Sequence, residues 1–72
     1  MDDIREKLDT LLDYWIEHNK EHEQEFRDWA GEVVPLSTEV SQHLQQAAAK
    51  MAAASRELTK AKQALSKSKE KH

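Results

Sequence analysis

Apolar and ring-bearing positions in the first half of the chain recur at Ile4, Leu8, Leu11, Trp15, His18, His22, Glu25 and Trp29. The intervals alternate four and three throughout, the seam period of a coiled coil, which predicts one long helix. Histidine and glutamate stand where the rest of the row carries large apolar residues. Leu12, Asn19, Phe26 and Val33 widen the stripe to one side. At about 100° per residue, His22 falls near its middle, with His18 and Glu25 on one edge. Asp2 and Asp3 suit the helix start, where carboxylates cap free N–H groups and meet the positive end of the dipole. Gly31 is expected to end the helix near Ala30 by taking the left-handed C′ conformation. Pro35 then disfavours helical geometry at Val34.

A second helix restarts at Ser37 or Thr38 as N-cap, with Glu39 in its first turn. Its row is Val40, Leu44, Ala47, Met51, Ala54, Leu58, Ala61 and Leu65, again at alternating intervals of four and three. The alanine-rich run Ala47 to Ala54 reads as a strong helix former with a narrow waist. No segment calls for a strand. The pattern predicts an all-α fold, an antiparallel two-helix hairpin with helices at about 2–30 and 37–68 and a turn at about 31–36. Folding about residues 34–35 pairs positions that sum to about 69: Trp29 with Val40, His22 with Ala47, Trp15 with Ala54. Large side chains then face small ones, as a packed core requires. Residues 1–72 form a single domain, with 69–72 expected to fray.

The edge of this hairpin is a candidate contact surface. Leu12 and Ile16 on the first helix lie on the same side as Ala48, Ala52 and Thr59 on the second. That strip predicts self-association, most simply a homodimer forming a four-helix bundle; another protein partner is the alternative occupant.

Composition narrows the function classes. Seventy-two residues with no cysteine allow neither a disulfide nor a thiolate metal site, so a marginal core has no covalent staple. Apolar runs are too short to span a membrane. The opening Met-Asp-Asp shows no apolar signal region, and a cytoplasmic location is the expectation. The net charge of −3 conceals an asymmetry: residues 1–36 carry eleven acids and four bases, and residues 37–72 carry seven bases and three acids. Side by side, the halves attract. The acidic first helix, and the absence of a basic patch laced with aromatics, argue against nucleic acid.

The candidate chemistry lies at His18, His22, Glu25 and His43. Two histidines four apart stack on one helical face and can chelate one ion. Glu25 continues that row, and His43 is expected on the matching edge of the second helix, about a turn from His22. Three imidazoles and a carboxylate suit a divalent transition metal such as Zn, Ni, Cu or Co. Glu21 and Asn19 are candidates to orient the rings from behind. The alternative is a buried neutral His22 with His18 and His43 solvated; a proton-linked switch is a third use. His18-Asn19-Lys20-Glu21-His22 also fits the His-x-x-Glu-His pattern of certain metalloproteases. This chain leaves no room for a distant third ligand or a substrate cleft, and no serine has a paired base, so no enzyme activity is expected. The terminal His72 is compatible with a tag remnant.

The run Trp15-Ile16-Glu17-His18-Asn19-Lys20-Glu21-His22, followed by Phe26 and Trp29-Ala30, resembles a segment of small uncharacterised helical proteins and C-terminal domains from archaea and bacteria. There a similar Trp-Ile-Glu-His-Asn-x-Glu-His motif precedes a second helix. The resemblance covers about sixteen residues and implies a natural two-helix unit, with no activity attached. The functional expectation is a non-enzymatic, self-associating interaction or scaffold module with structurally committed histidines. The alternative is a small divalent-metal binder using His18, His22, Glu25 and His43.

Overall fold

The computed structural model describes residues 2–70, and side chains for residues 3–67. Two helices, α1 (Asp2–Glu32) and α2 (Thr38–Glu70), pack against each other in antiparallel fashion. The rod measures 57 × 16 × 11 Å between Cα extremes, one helix thick in its thinnest direction, so each helix keeps a long face uncovered. No described helix is long and apolar enough to cross a membrane. Of the residues expected to fray, 71 and 72 lie outside the described residues, as does the side chain of every residue from 68 onward.

The turn forms by a different route from the one expected. Gly31 does not adopt a positive φ, and α1 continues through it to Glu32. Glycine in a helix costs only about 1 kcal/mol relative to alanine, whereas proline bars the residue before it from the helical region. The break therefore falls next to Pro35. Val33 N–H still donates to the Trp29 carbonyl at 2.9 Å, and the Val33 carbonyl accepts from both Leu36 N–H and Ser37 N–H, at 2.9 and 2.8 Å. Ser37 caps α2 as expected, its hydroxyl accepting from Val40 N–H at 3.1 Å.

The seam between the helices is displaced by one position along α1, while on α2 Leu44, Met51, Leu58 and Leu65 stay inside as expected and Ser41, Ala48, Ser55 and Lys62 take the places of Val40, Ala47, Ala54 and Ala61. Its fully buried residues are Leu12 (3% exposed), Ala30, Ser41, Ala48 (0%) and Ser55. On α1 the row continues through half-buried Ile16, Asn19, Glu23, Phe26 and Val33. On α2 it takes in half-buried Leu44, Met51, Leu58, Lys62 and Leu65. Both rows keep the four-three alternation. The residues expected to widen the α1 stripe are thus its buried centre, and the expected centre faces outward, with Ile4 75% and Trp29 61% exposed. Ser41, Ala48 and Ser55 explain the choice. Small residues at every seventh position let two backbones approach closely, and tryptophans at Trp15 and Trp29 would hold them apart. Facing residues consequently sum to 70 or 71 (Arg5 with Leu65, Asp9 with Lys62, Ala30 with Ser41), not 69.

Ser41 also closes the end of α1. The last turn of α1 has no basic side chain to neutralise its free carbonyls. Instead the Ser41 hydroxyl donates to the Ala30 carbonyl at 2.7 Å in a buried setting. Ser41→Ala leaves that acceptor buried and unpaired, at a cost of about 1–2 kcal/mol. A melting temperature roughly 5–15 °C lower is expected by circular dichroism; an unchanged melt would show that the bond contributes nothing. Ser55, the third small residue of the row, has a buried hydroxyl with no partner among the described residues, so its size rather than its hydrogen-bonding capacity suits the seam.

The charge asymmetry is realised at the other end. Lys62 Nζ stands 3.0 Å from both Asp9 Oδ1 and Asp13 Oδ1. Its hydrogen bonds to Asp9 and then Asp13 raise its pKa above the ordinary 10.5, outweighing desolvation. A group raised in the folded state stabilises fully below its unfolded pKa and ceases to do so as pH climbs through the folded one. The hairpin should therefore weaken above pH 10.5, and Lys62→Gln should lose most of that alkaline sensitivity in melts on either side of that pH. The pair is partly exposed, so added salt should narrow the difference between the two proteins.

Candidate functional site

The face that the seam leaves uncovered carries the features of interest. Leu8, Trp15, His22 and Trp29 stand one residue before the α1 seam row, and Val40, Ala47, Ala54 and Ala61 one residue before the small-residue row of α2. In this antiparallel pair both sets border the same edge of the hairpin. The other edge is polar, bordered by Lys20, Glu23, Arg56, Thr59, Lys60 and Gln63. The apolar edge keeps Ile4, Leu8, Leu11, Trp15, Trp29 and Val40 substantially exposed. Ala54 and Ala61 beside them are exposed and small.

A row of rings at intervals of four, Tyr14, His18, His22 and Phe26, crosses this face from exposed Tyr14 to half-buried Phe26 in the seam row. Tyr14 stacks on His18 with centroids 5.4 Å apart, and His22 on Phe26 at 6.0 Å. His18 and His22 meet edge to face at 4.5 Å. Their Nε2 atoms are 3.0 Å apart, and His22 Nδ1 is 3.1 Å from Glu25 Oε1. A carboxylate accepts only, so Nδ1 of His22 carries a proton. In its neutral form His22 then has a bare Nε2, which accepts from Nε2–H of His18. The pair is thus oriented from both ends, by Glu25 through its charge and by Tyr14 and Phe26 through stacking.

The larger ligand set does not assemble. Among the described residues, no group of three or more His, Asp or Glu side chains is placed to hold a metal ion. Glu25 stays in the row but binds the far nitrogen of His22, away from His18. The register seats exposed His43 opposite Arg27 and Asp28. At 1.5 Å per residue that is about 7.5–9 Å along the axis from His22, one to two residues beyond the expected level. Glu21 is exposed, Asn19 is half-buried in the seam row, and neither hydrogen-bonds a histidine among the described residues.

The strip expected to bind a second copy is also differently used. Leu12 and Ala48 are buried in the hairpin itself, and Ile16 and Ala52 are half-buried. The features that periodicity alone missed are Ser41 and Ser55, which look like surface residues singly. Their sequence signal is the seven-residue spacing with Ala48. Tyr14 was likewise detectable, four residues ahead of His18.

A family model described as a domain of unknown function, DUF8180, matches residues 8–65. The chain belongs to that family. The DUF8180 span covers nearly the whole seam, from Leu8 to Leu65, together with the turn and the ring row. A protein of Archaeoglobus fulgidus, described as uncharacterized, is 40% identical over 45 residues, which is 62% of this chain and 73% of that protein. No solved structure matches this DUF8180 chain.

Proposed function

We propose that this DUF8180 hairpin is a non-enzymatic interaction module that self-associates through its apolar edge, two copies forming a four-helix bundle. The observation that carries this reading is the exposed α1 row, whose large apolar side chains keep seam spacing from Ile4 to Trp15 and resume at Trp29. Such a row on a surface marks a contact site. One further feature favours a second copy as the occupant. The hairpin buries only three apolar side chains among its described residues, Leu12, Ala30 and Ala48, too little for a free-standing unit of this size.

In the bundle, Trp15 and Trp29 of one copy pack against the exposed apolar row of the other. The Trp15 to His22 run lies within the family span. Sedimentation equilibrium of the untagged chain tests the proposal. The expected mass is twice the 8.3 kDa of one chain. A strict monomer over the whole accessible concentration range sinks it.

A further inference from the structure

Resting on the self-association reading, the geometry points to a divalent transition-metal site shared between two copies, with His18 and His22 of each supplying the ligands. The first support is the bite of the pair. Two imidazole nitrogens bound to one ion at about 2.0–2.1 Å stand roughly 2.9–3.4 Å apart, for angles from square to tetrahedral. The Nε2 atoms of His18 and His22 are 3.0 Å apart before any ion is bound. Binding needs His18 to shift its hydrogen from Nε2 to Nδ1 and the two rings to tilt off the N–N line, so that both lone pairs meet at one point.

The second support is Glu25. Its carboxylate accepts from Nδ1–H of His22 at 3.1 Å, which holds Nε2 as the free nitrogen. A carboxylate behind a histidine in this way is the usual orienting partner of a metal-bound imidazole. Stacking of Tyr14 on His18 and Phe26 on His22 limits ring rotation at both ends.

The third support is position. One chain brings two ligands, and the described residues supply no third. The pair sits near mid-length of α1 (Asp2–Glu32), inside the apolar edge. A two-fold axis at the level between His18 and His22 runs α1 antiparallel to α1 of the second copy. It then brings Leu11 of one copy to the level of Trp29 of the other. Four imidazoles converge on the axis, a nitrogen set suited to Zn, Ni, Cu or Co.

The test is calorimetric titration of the untagged full chain with zinc chloride, alongside sedimentation with zinc and with EDTA. The expected result is one ion per two chains, with a dimer dissociation constant at least tenfold lower in zinc than in EDTA. His18→Ala/His22→Ala should lose the zinc binding and the tightening while keeping its helicity and its EDTA-state dimer. Glu25→Gln should weaken zinc binding roughly ten- to a hundredfold without changing stoichiometry. One ion per chain, no tightening by zinc, or binding that survives the double histidine variant each overturns the site. A chain that dimerises in EDTA but ignores zinc refutes this site and leaves self-association standing. A chain that is monomeric in EDTA and dimeric in zinc supports the site and refutes association by the apolar edge alone.

Discussion

Ala48→Leu should lower the melting temperature of the hairpin by more than any surface substitution of the same size. Ala48 has no exposed surface and sits in the row of small residues that lets α1 and α2 approach. Leucine adds three carbons where the facing backbone stands, so the helices must separate or the side chain must leave its rotamer. Overpacking of this kind costs about 1–3 kcal/mol. A domain of this length converts each kcal/mol to about 4–8 °C of melting temperature. The matched control is Ala49→Leu, one residue on and exposed, where leucine costs little because both residues favour helix. Thermal circular dichroism at one fixed protein concentration compares the two, since association makes melting concentration-dependent. Equal melting of the two variants would mean that the small-residue row does not set the helix spacing.

Trp15→Glu should separate the proposed dimer while leaving the hairpin folded. Trp15 is 39% exposed at the centre of the apolar edge, so part of its ring already packs on the hairpin and the remainder awaits a partner. Burying that remainder at about 25 cal/mol per Å², counted twice because a two-fold interface repeats every substitution, amounts to about 3–5 kcal/mol. The dissociation constant should rise roughly a hundred- to several thousandfold. Placing a carboxylate in an apolar contact adds to the loss. Gln63→Glu introduces the same charge on the polar edge and should leave association unaltered. Sedimentation of the two variants with wild type gives the comparison. Dimers of equal strength in Trp15→Glu and wild type would place the contact elsewhere.

The histidine pair shows how far residue spacing carries an argument about a site. Four-residue spacing guarantees that two side chains on one helix share a face, because the interval nearly matches a helical turn. His18 and His22 do meet, through Nε2 atoms 3.0 Å apart. His43 required more, since its distance from them depends on the register between two helices. A shift of one or two residues in the facing sums, multiplied by the rise per residue and combined with rotation about each axis, carried it beyond reach. Local ligands were legible, and the ligand from the other helix was not. Glu25 lies between these cases: its membership of the row followed from spacing, but its choice of the far nitrogen of His22 depends on ring orientation.

The sequence by itself determined two long helices, a turn about Pro35, the Ser37 cap and the antiparallel hairpin, because each depends on local backbone preference and on hydrophobic period; the end of α1, expected at Ala30 through Gly31, falls instead at Glu32. It also determined that α1 has more apolar rows than one partner helix can cover. Only the tertiary structure decided which row goes inside. The rows through Leu11 and Trp15 and through Leu12 and Ile16 share the same four-three period, and period carries no information about closeness of approach. Ser41, Ala48 and Ser55 decide it, because small side chains at the seam bring the two backbones together. The tryptophans, too large for that gap, are left on the open edge beside His18 and His22.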